Sequence, residues 1–385
     1  MTRSDRPTIG RRTLKGVAFG RPLVLGAHSS LLIVGPTQVG KTSSLVVPSM
    51  LRWTDAMVVT SVKRDVIDAT RRWRGSLGDV QVLEPASDLG LTWNPLEGVT
   101  TLRHALRIAH DMTSRSSAHA DTDFWNSLAS KFVAALLIGA RERDLDIFDV
   151  AAVVERRALR AWHDSGRDGP ARDVVRDLLE HDDRTIDGVV TTAETMLLPW
   201  RFRQPLARVR SVVAGPNTLY LCAARTEQQY YESLFRGALH MVLEEQQRLV
   251  DQRRARRLLV VLDEAATVAP LEELDQLAAT VSGLGVTLVT VVQDFSQLAA
   301  RWGPRASSIV NNHTTRVVMA GLADPTLDRY LPELTRERKD APVRPLRQRP
   351  AGTAVVVAGH QPVHTVRVRP WWRERRLRVR GDRWP

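Results

Sequence analysis

Apolar residues along the chain gather into short continuous runs separated by stretches of helical spacing. LLIVG (31–35), AMVVTSV (56–62) and VQVLEP (80–85) read as buried strands. An apolar-periodic stretch from Lys41 to Trp53 follows the first, and a charged one with Val66, Ile67 and Thr70 on one side follows the second. Such βα units predict a parallel sheet covered by helices on both faces. From about residue 99 the β-runs cease, while Phe124, Trp125, Leu128, Phe132, Leu136 and Leu137 recur at helical spacing. Further helices are predicted around 148–162, 171–180 and 189–198, with turns at SGRDGP (165–170), Pro199 and Pro205. The alternation resumes with NTLYLCAA (217–224), a long helix around 227–252, LLVVLD (258–263), a helix near 271–282, VTLVTVVQ (286–293) and TRVVMAG (315–321). TAVVVAG (353–359) and VHTVRV (363–368) predict a hairpin at the sheet edge. The expected fold class is therefore α/β, a parallel-rich central sheet with an inserted all-α domain. Its predicted parts are an N-terminal lead at 1–27, a discontinuous α/β domain at 28–98 and 214–370, a helical insertion at 99–213, and a basic aromatic tail at 371–385.

At 385 residues and 43% apolar, the chain is long enough for two domains with a substantial core. No run approaches the ~18 apolar residues of a membrane span, and the basic first thirty positions lead into no hydrophobic region, so neither a transmembrane helix nor a signal peptide is expected. The single cysteine, Cys222, lies in an apolar run and reads as a small buried residue, which excludes disulfides within the chain and Cys-rich zinc sites. Net charge is +12, and residues 365–385 hold eight arginines against Glu374 and Asp382. That tail suggests an anionic partner, with Trp371, Trp372 and Trp384 available to stack on bases or to lie in a lipid headgroup layer; a solvated, unliganded terminus is the plainer alternative.

The chemistry concentrates at strand ends. GPTQVGKT (35–42) fits the phosphate-binding pattern G-x-x-x-x-G-K-[ST], with a strand before it and a helix after it. The backbone of Gly35, Pro36, Thr37, Gln38, Val39 and Gly40, with Lys41, Thr42 and Ser43 at the helix start, would wrap the phosphates of ATP. Lys41 would reach the β- and γ-phosphates and Thr42 would ligate Mg²⁺. LLVVLDEAA ends a second strand in two carboxylates, Asp263 to hold the metal through water and Glu264 to polarise the attacking water. Gln293 ends the next strand, where it can report the γ-phosphate. Lys41 and Asp263 stand 222 positions apart, room for a large insertion between the halves of the site.

These segments, in this order, resemble the conjugative coupling proteins of type IV secretion, the TraD/TraG-type ATPases. The likeness runs through GPTQVGKT, TSVKRDVIDATRRWRG, DVQVLEP, TWNPLEG and DFWNSLASKFVAALL, then NTLYLCAARTEQQYYESLF, the long stretch from LLVVLDEAA to SQLAARWG, and TRVVMAGLADPTLDRYL. The resemblance implies a RecA-like P-loop motor with an inserted all-α domain lining the entrance of a ring, usually hexameric, with nucleotide between subunits. It implies ATP-driven movement of single-stranded DNA, with its attached relaxase, toward secretion-channel proteins. By position it makes Lys41 and Thr42 the phosphate and Mg²⁺ residues, Asp263 and Glu264 the acidic pair, and Gln293 the sensor. Members usually begin with transmembrane helices, which the thirty or so residues before the P-loop strand lack here; the implication is a truncated member, a soluble variant or a subunit anchored through another chain, cytoplasmic and at the inner face of the plasma membrane. Many members also place an arginine in the helix after the acidic pair, where this chain has Ser282, leaving Arg301, Arg305 and Arg316 as alternatives. A duplex-DNA translocase of the FtsK kind and an ATPase exporting a protein cargo remain open readings of the same motor residues.

Overall fold

The structure, a computed structural model, describes residues 7–14, 17–18, 23–25, 28–87, 90–113, 120–224, 226–268, 271–323, 346–359 and 363–382. Trp384 and the segment DPTLDRYL lie outside them. The strands are β1 Thr8–Leu14, β2 Val17–Ala18, β3 Leu23–Val24, β4 Ser30–Val34, β5 Ala56–Ser61, β6 Val80–Leu83, β7 Thr92–Trp93, β8 Leu206–Ala207, β9 Thr218–Cys222, β10 Leu258–Leu262, β11 Val286–Val292, β12 Thr315–Met319, β13 Thr353–Ala358 and β14 His364–Arg367. The helices are α1 Val47–Arg52, α2 Asp65–Gly75, α3 Leu102–Asp111, α4 Ala120–Glu142, α5 Ile147–Glu155, α6 Leu159–Asp164, α7 Pro170–Leu179, α8 Asp183–Leu197, α9 Gln228–Asp251, α10 Leu274–Thr280, α11 Phe295–Trp302, α12 Ala306–Asn312 and α13 Arg375–Arg380.

Two compact units divide the chain. The first takes Met1–Gln81, Ser211–Arg225 and Glu245–Pro385, and the second Val82–Arg210 with Thr226–Glu244. In the first, strands β12, β4, β11, β10, β5 and β9 lie side by side and parallel. Every residue of β4, β5, β9, β10 and β11 is buried, as continuous apolar runs covered on both faces require. β13, β14 and β1 extend the sheet antiparallel beyond β12; β13 and β14 form the expected hairpin, but it is not at the sheet edge, because β1, from the residues expected to form an N-terminal lead, pairs outside β14. The fold is α/β with a mostly parallel sheet.

Residues 371–382 differ from a free tail. Trp371 is 3% exposed and packs, with Leu377 of α13, into a cluster with Val47 and Leu51 of α1 and Ala69 of α2. Stacking of Trp371 on a base or in a headgroup layer is therefore excluded by its burial.

The second unit begins at Val82 rather than 99 and takes in most of α9. Long α4 packs against α3, α7 and α8, with Phe132, Val133, Leu136 and Leu137 buried. The unit is not wholly helical, since β7 and β8 pair in parallel, and Trp200 donates through Nε1 to the Trp93 carbonyl at 2.7 Å. The helix expected over 148–162 breaks into α5 and α6, because Arg157 turns left-handed at φ 54°.

Among the described residues no helix is long and apolar enough to cross a membrane. His313, wholly buried after α12, bridges that helix to β11: Nδ1 lies 2.7 Å from the Ile309 carbonyl and Nε2 2.9 Å from Thr290 Oγ1. A neutral ring satisfies both, donating to the carbonyl and accepting from the hydroxyl. Burial, with the charge of Arg316 helping, pushes its pKa down to about 4. A folded pKa below the unfolded value means the stabilisation is present above about pH 6.5 and is lost as pH falls toward 4. Urea melts at pH 7.5 and pH 4.5 should therefore differ by about 2–3 kcal/mol more in the native chain than in His313→Gln; equal pH dependence in the two would refute the assignment.

Candidate nucleotide site

Parallel pairing brings four strand ends to one edge of the sheet. Val34 pairs with Val292, and Leu262 with both Thr60 and Thr290. Gly35, Gln293, Asp263 and Ser61 consequently follow at neighbouring strand ends, the place where α/β sheets bind ligands. β11 is interposed between the P-loop strand β4 and the carboxylate strand β10, so Gln293 emerges between the two halves of the site.

The loop from Gly35 to Gly40 needs two left-handed residues, Gln38 at φ 64° and Gly40 at φ 85°. Gly40 takes that conformation without cost, whereas Gln38 carries strain of the kind found at binding loops. The helix that follows opens as a widened turn over Thr42–Val46 before becoming α-helical at Val47. Pro48 lacks the N–H that would reach the Ser44 carbonyl, and the wider turn accommodates that loss. Lys41 is buried and donates from Nζ to the Gly35 and Pro36 carbonyls at 2.5 and 2.7 Å. Its pKa is lowered by burial, with Asp263, Glu264 and Asp294 opposing.

Thr42 Oγ1 donates to Asp263 Oδ2 at 3.2 Å, joining residues 221 positions apart. Asp263 is buried, and desolvation pushes its pKa up to about 7; Glu264 and Asp65 push the same way, while the Thr42 hydrogen bond and Lys41 oppose. A buried carboxylate pressed by two further acids is the setting that a divalent cation relieves. Among the described residues no three His, Cys, Asp or Glu side chains gather into a metal cage. The donor set of one hydroxyl and one carboxylate fits Mg²⁺, which takes few protein ligands and completes its shell with phosphate and water. Glu264 stands in left-handed conformation at φ 56°, held by the Ala265 N–H on the Val291 carbonyl at 3.0 Å and by the Thr267 N–H on its own carbonyl at 2.8 Å. The Gln293 N–H donates to Gln297 Oε1 at 2.9 Å, and Asp294 caps α11 through Gln297 N.

Protonation of Asp263 competes with the metal. Below about pH 7 the affinity for Mg²⁺-nucleotide should fall roughly tenfold per pH unit, and Asp263→Asn should flatten that dependence. Titration calorimetry from pH 5.5 to 8.5 measures it, and a flat profile in the native chain would contradict the role given to Asp263.

The sequence pattern gave no role to the end of β5 or the start of α2. Thr60 Oγ1 donates to the Asp263 carbonyl at 3.4 Å, and Asp65, its pKa raised by burial, contributes to the field on Asp263. Asp294 likewise acts on Lys41. Of the arginine alternatives, Arg305 is engaged with Asp275 at 2.7 Å, Arg316 is half-buried within β12, and Arg301 is exposed on α11.

Comparison with known proteins places this geometry among its relatives. The family model for type IV secretory system conjugative DNA transfer matches residues 3–197, and that for the TraM recognition site of TraD and TraG matches 257–339. The conjugal transfer protein TraG of Escherichia coli is 24% identical over 315 residues, covering 70% of this chain and 49% of TraG. Protein VirD4 of Rhizobium radiobacter is 22% identical over 350 residues, covering 84% of this chain and 50% of VirD4. The chain thus spans about half the length of the curated relatives it matches. Among solved structures, the plasmid coupling protein TrwB with the ATP analogue ADPNP superposes with a TM-score of 0.67 at 19% identity, over 95% of this chain and 91% of the other. TrwB with ADP and Mg²⁺ gives 0.65 at 17% identity, over 96% and 91%. These likenesses show a shared fold.

Proposed function

The chain belongs to the conjugative DNA-transfer family of type IV secretory systems, and on that premise we propose that it is an ATP-driven motor that moves DNA toward a secretion channel. The observation that carries the reading is the Thr42–Asp263 hydrogen bond beside buried Lys41, which joins the two halves of a P-loop site across the sheet edge. Mg²⁺, when bound, would screen the phosphate charge and activate the γ-phosphate toward attack. Thr42 and Asp263 are the residues to hold it. Lys41 neutralises charge gathering on the β- and γ-phosphate oxygens, and the loop N–H groups from Thr37 to Ser43 bind the remainder. Glu264 accepts the proton of the attacking water, and Gln293 orients that water from the strand between.

Partners follow from the family: single-stranded DNA with its relaxase as cargo, secretion-channel proteins as the destination, and further copies of the chain in a ring, a hexamer by analogy. The TraM-recognition match spans β10 to β12, so a relaxosome protein belongs among the candidate partners. Location at the inner face of the plasma membrane is part of the same proposal.

A motor must couple its nucleotide state to its grip on cargo, and that coupling is reciprocal. Affinity for a labelled single strand should differ by about fivefold or more between the ADPNP-bound and nucleotide-free chain, and should fall steeply with salt. Equal DNA affinity in both states would speak against a DNA motor, and nucleotide-dependent binding of polypeptide in its place would favour a protein pump.

A further inference from the structure

The segment Trp371–Asp382 is fastened to the two helices that flank the nucleotide-site edge. Trp371 and Leu377 share one buried apolar cluster with Val47 and Leu51 of α1 and Ala69 of α2, and Trp73 and Trp372 pack on its rim. Glu374 pairs with Arg52 at 2.5 Å. Arg380 donates from Nη1 to the Leu51 carbonyl at 2.9 Å, one of the last carbonyls of α1 that no helical N–H can satisfy. The same guanidinium lies 4.3 Å over the Trp73 ring of α2. Beyond it the Asp382 N–H donates to the Ala69 carbonyl at 3.1 Å, and the Asp382 carboxylate meets Arg72 at 3.4 Å. The chain folds back so closely that a Cβ on Gly381 would sit 2.1 Å from the Trp371 ring.

α1 continues without interruption from the turn that begins at Thr42. One end of this short helical segment carries Lys41 and Thr42, and the other is gripped by Glu374, Trp371 and Arg380. We propose that Trp371–Asp382 is a clasp that positions the phosphate-binding helix, so that its docking and nucleotide binding favour each other. The proposal rests on the nucleotide-site reading and adds to it a set of positioning residues about a helix length from the phosphates. A loosened α1 must be ordered when nucleotide arrives, and that ordering cost weakens binding while leaving the chemistry at Lys41, Glu264 and Gln293 unaltered once nucleotide is held.

The test uses the full chain and three variants, Arg380→Ala, Arg380→Lys and Glu374→Gln, with Mg²⁺-ADP as the probe. Arg380→Ala should raise the Kd about fivefold or more, and KM for ATP should rise with it while kcat changes by less than about twofold. Arg380→Lys, which keeps a donor but not the planar stack, should fall between. Reciprocity supplies the readout that a merely structural contact would not move: amide exchange over 371–382 in the native chain should slow by a comparable factor when ADP binds. An unchanged Kd in Arg380→Ala and Glu374→Gln, or exchange over 371–382 that ignores ADP, would overturn the clasp while leaving the nucleotide site intact. Failure of the native chain to bind ADP at all would overturn both.

Discussion

Replacing Lys41 by alanine is expected to lower ATP hydrolysis by about 10²–10³-fold, the loss seen when one preorganised charge donor is removed from a transition state. The lysine is buried, which lowers its pKa, and three carboxylates, Asp263, Glu264 and Asp294, oppose that shift. On the proposed reading its ammonium is the positive charge that offsets the phosphates. Glu264→Gln should behave differently. It keeps the shape and hydrogen-bonding reach of the side chain but removes the base, so nucleotide binds and turnover stops. Steady-state phosphate release and equilibrium ADP binding separate the two. Hydrolysis by Lys41→Ala at the native rate would show that the phosphates sit elsewhere.

The largest effect on stability is expected at Arg74, which has no part in the chemistry. Its side chain is wholly buried at the end of α2. Nε donates to Thr218 Oγ1 at 2.7 Å, Nη1 to the Trp53 carbonyl at 2.7 Å, and Nη2 to the carbonyls of Asp55 and Pro216 at 2.6 and 3.0 Å. One guanidinium thus ties the exit of α1 and the approaches to β5 and β9. Burial lowers its pKa to about 10, with Tyr220 and Asp55 opposing, so it remains charged at neutral pH. Arg74→Ala leaves a cavity, with two buried carbonyls and one partly buried carbonyl deprived of their donor, and should cost about 3–5 kcal/mol in denaturant unfolding. Arg74→Lys should recover only part, because an ammonium cannot reproduce the planar fork. A loss below about 1 kcal/mol for the alanine variant would mean that water or relaxation replaces the network.

How much of this was legible beforehand depends on whether the signal is local. The strands of the parallel core could be read because a strand covered on both faces must be a continuous apolar run, and β4, β5, β10 and β11 are such runs. β1, TIGRRTL, has no such run. It lies between β14 and the two-residue strands β2 and β3, and its Arg11 and Arg12 pair with Arg367 and Val366, so its place is set by a partner more than 350 residues away. β7 and β8 are two residues each and carry no periodicity. The 371–385 segment was hidden by its arginines, although Trp371 and Leu377 were the apolar anchors within it. At the site, the P-loop pattern and the Asp263–Glu264 strand end are visible in short words of sequence. The positions of Asp65 and Asp294 gain meaning only from the strand order, with β11 between β4 and β10 and β5 on the far side of β10, and no local pattern encodes that order.

The central claim is that this strand-edge site hydrolyses ATP to move DNA, and the most direct measurement is the steady-state ATPase rate of the native chain alone, with single-stranded DNA and with duplex DNA, each beside Lys41→Ala. The expected result is Lys41-dependent hydrolysis that rises with DNA, more for the single strand than for the duplex. A Lys41-dependent rate that neither form of DNA alters would contradict it.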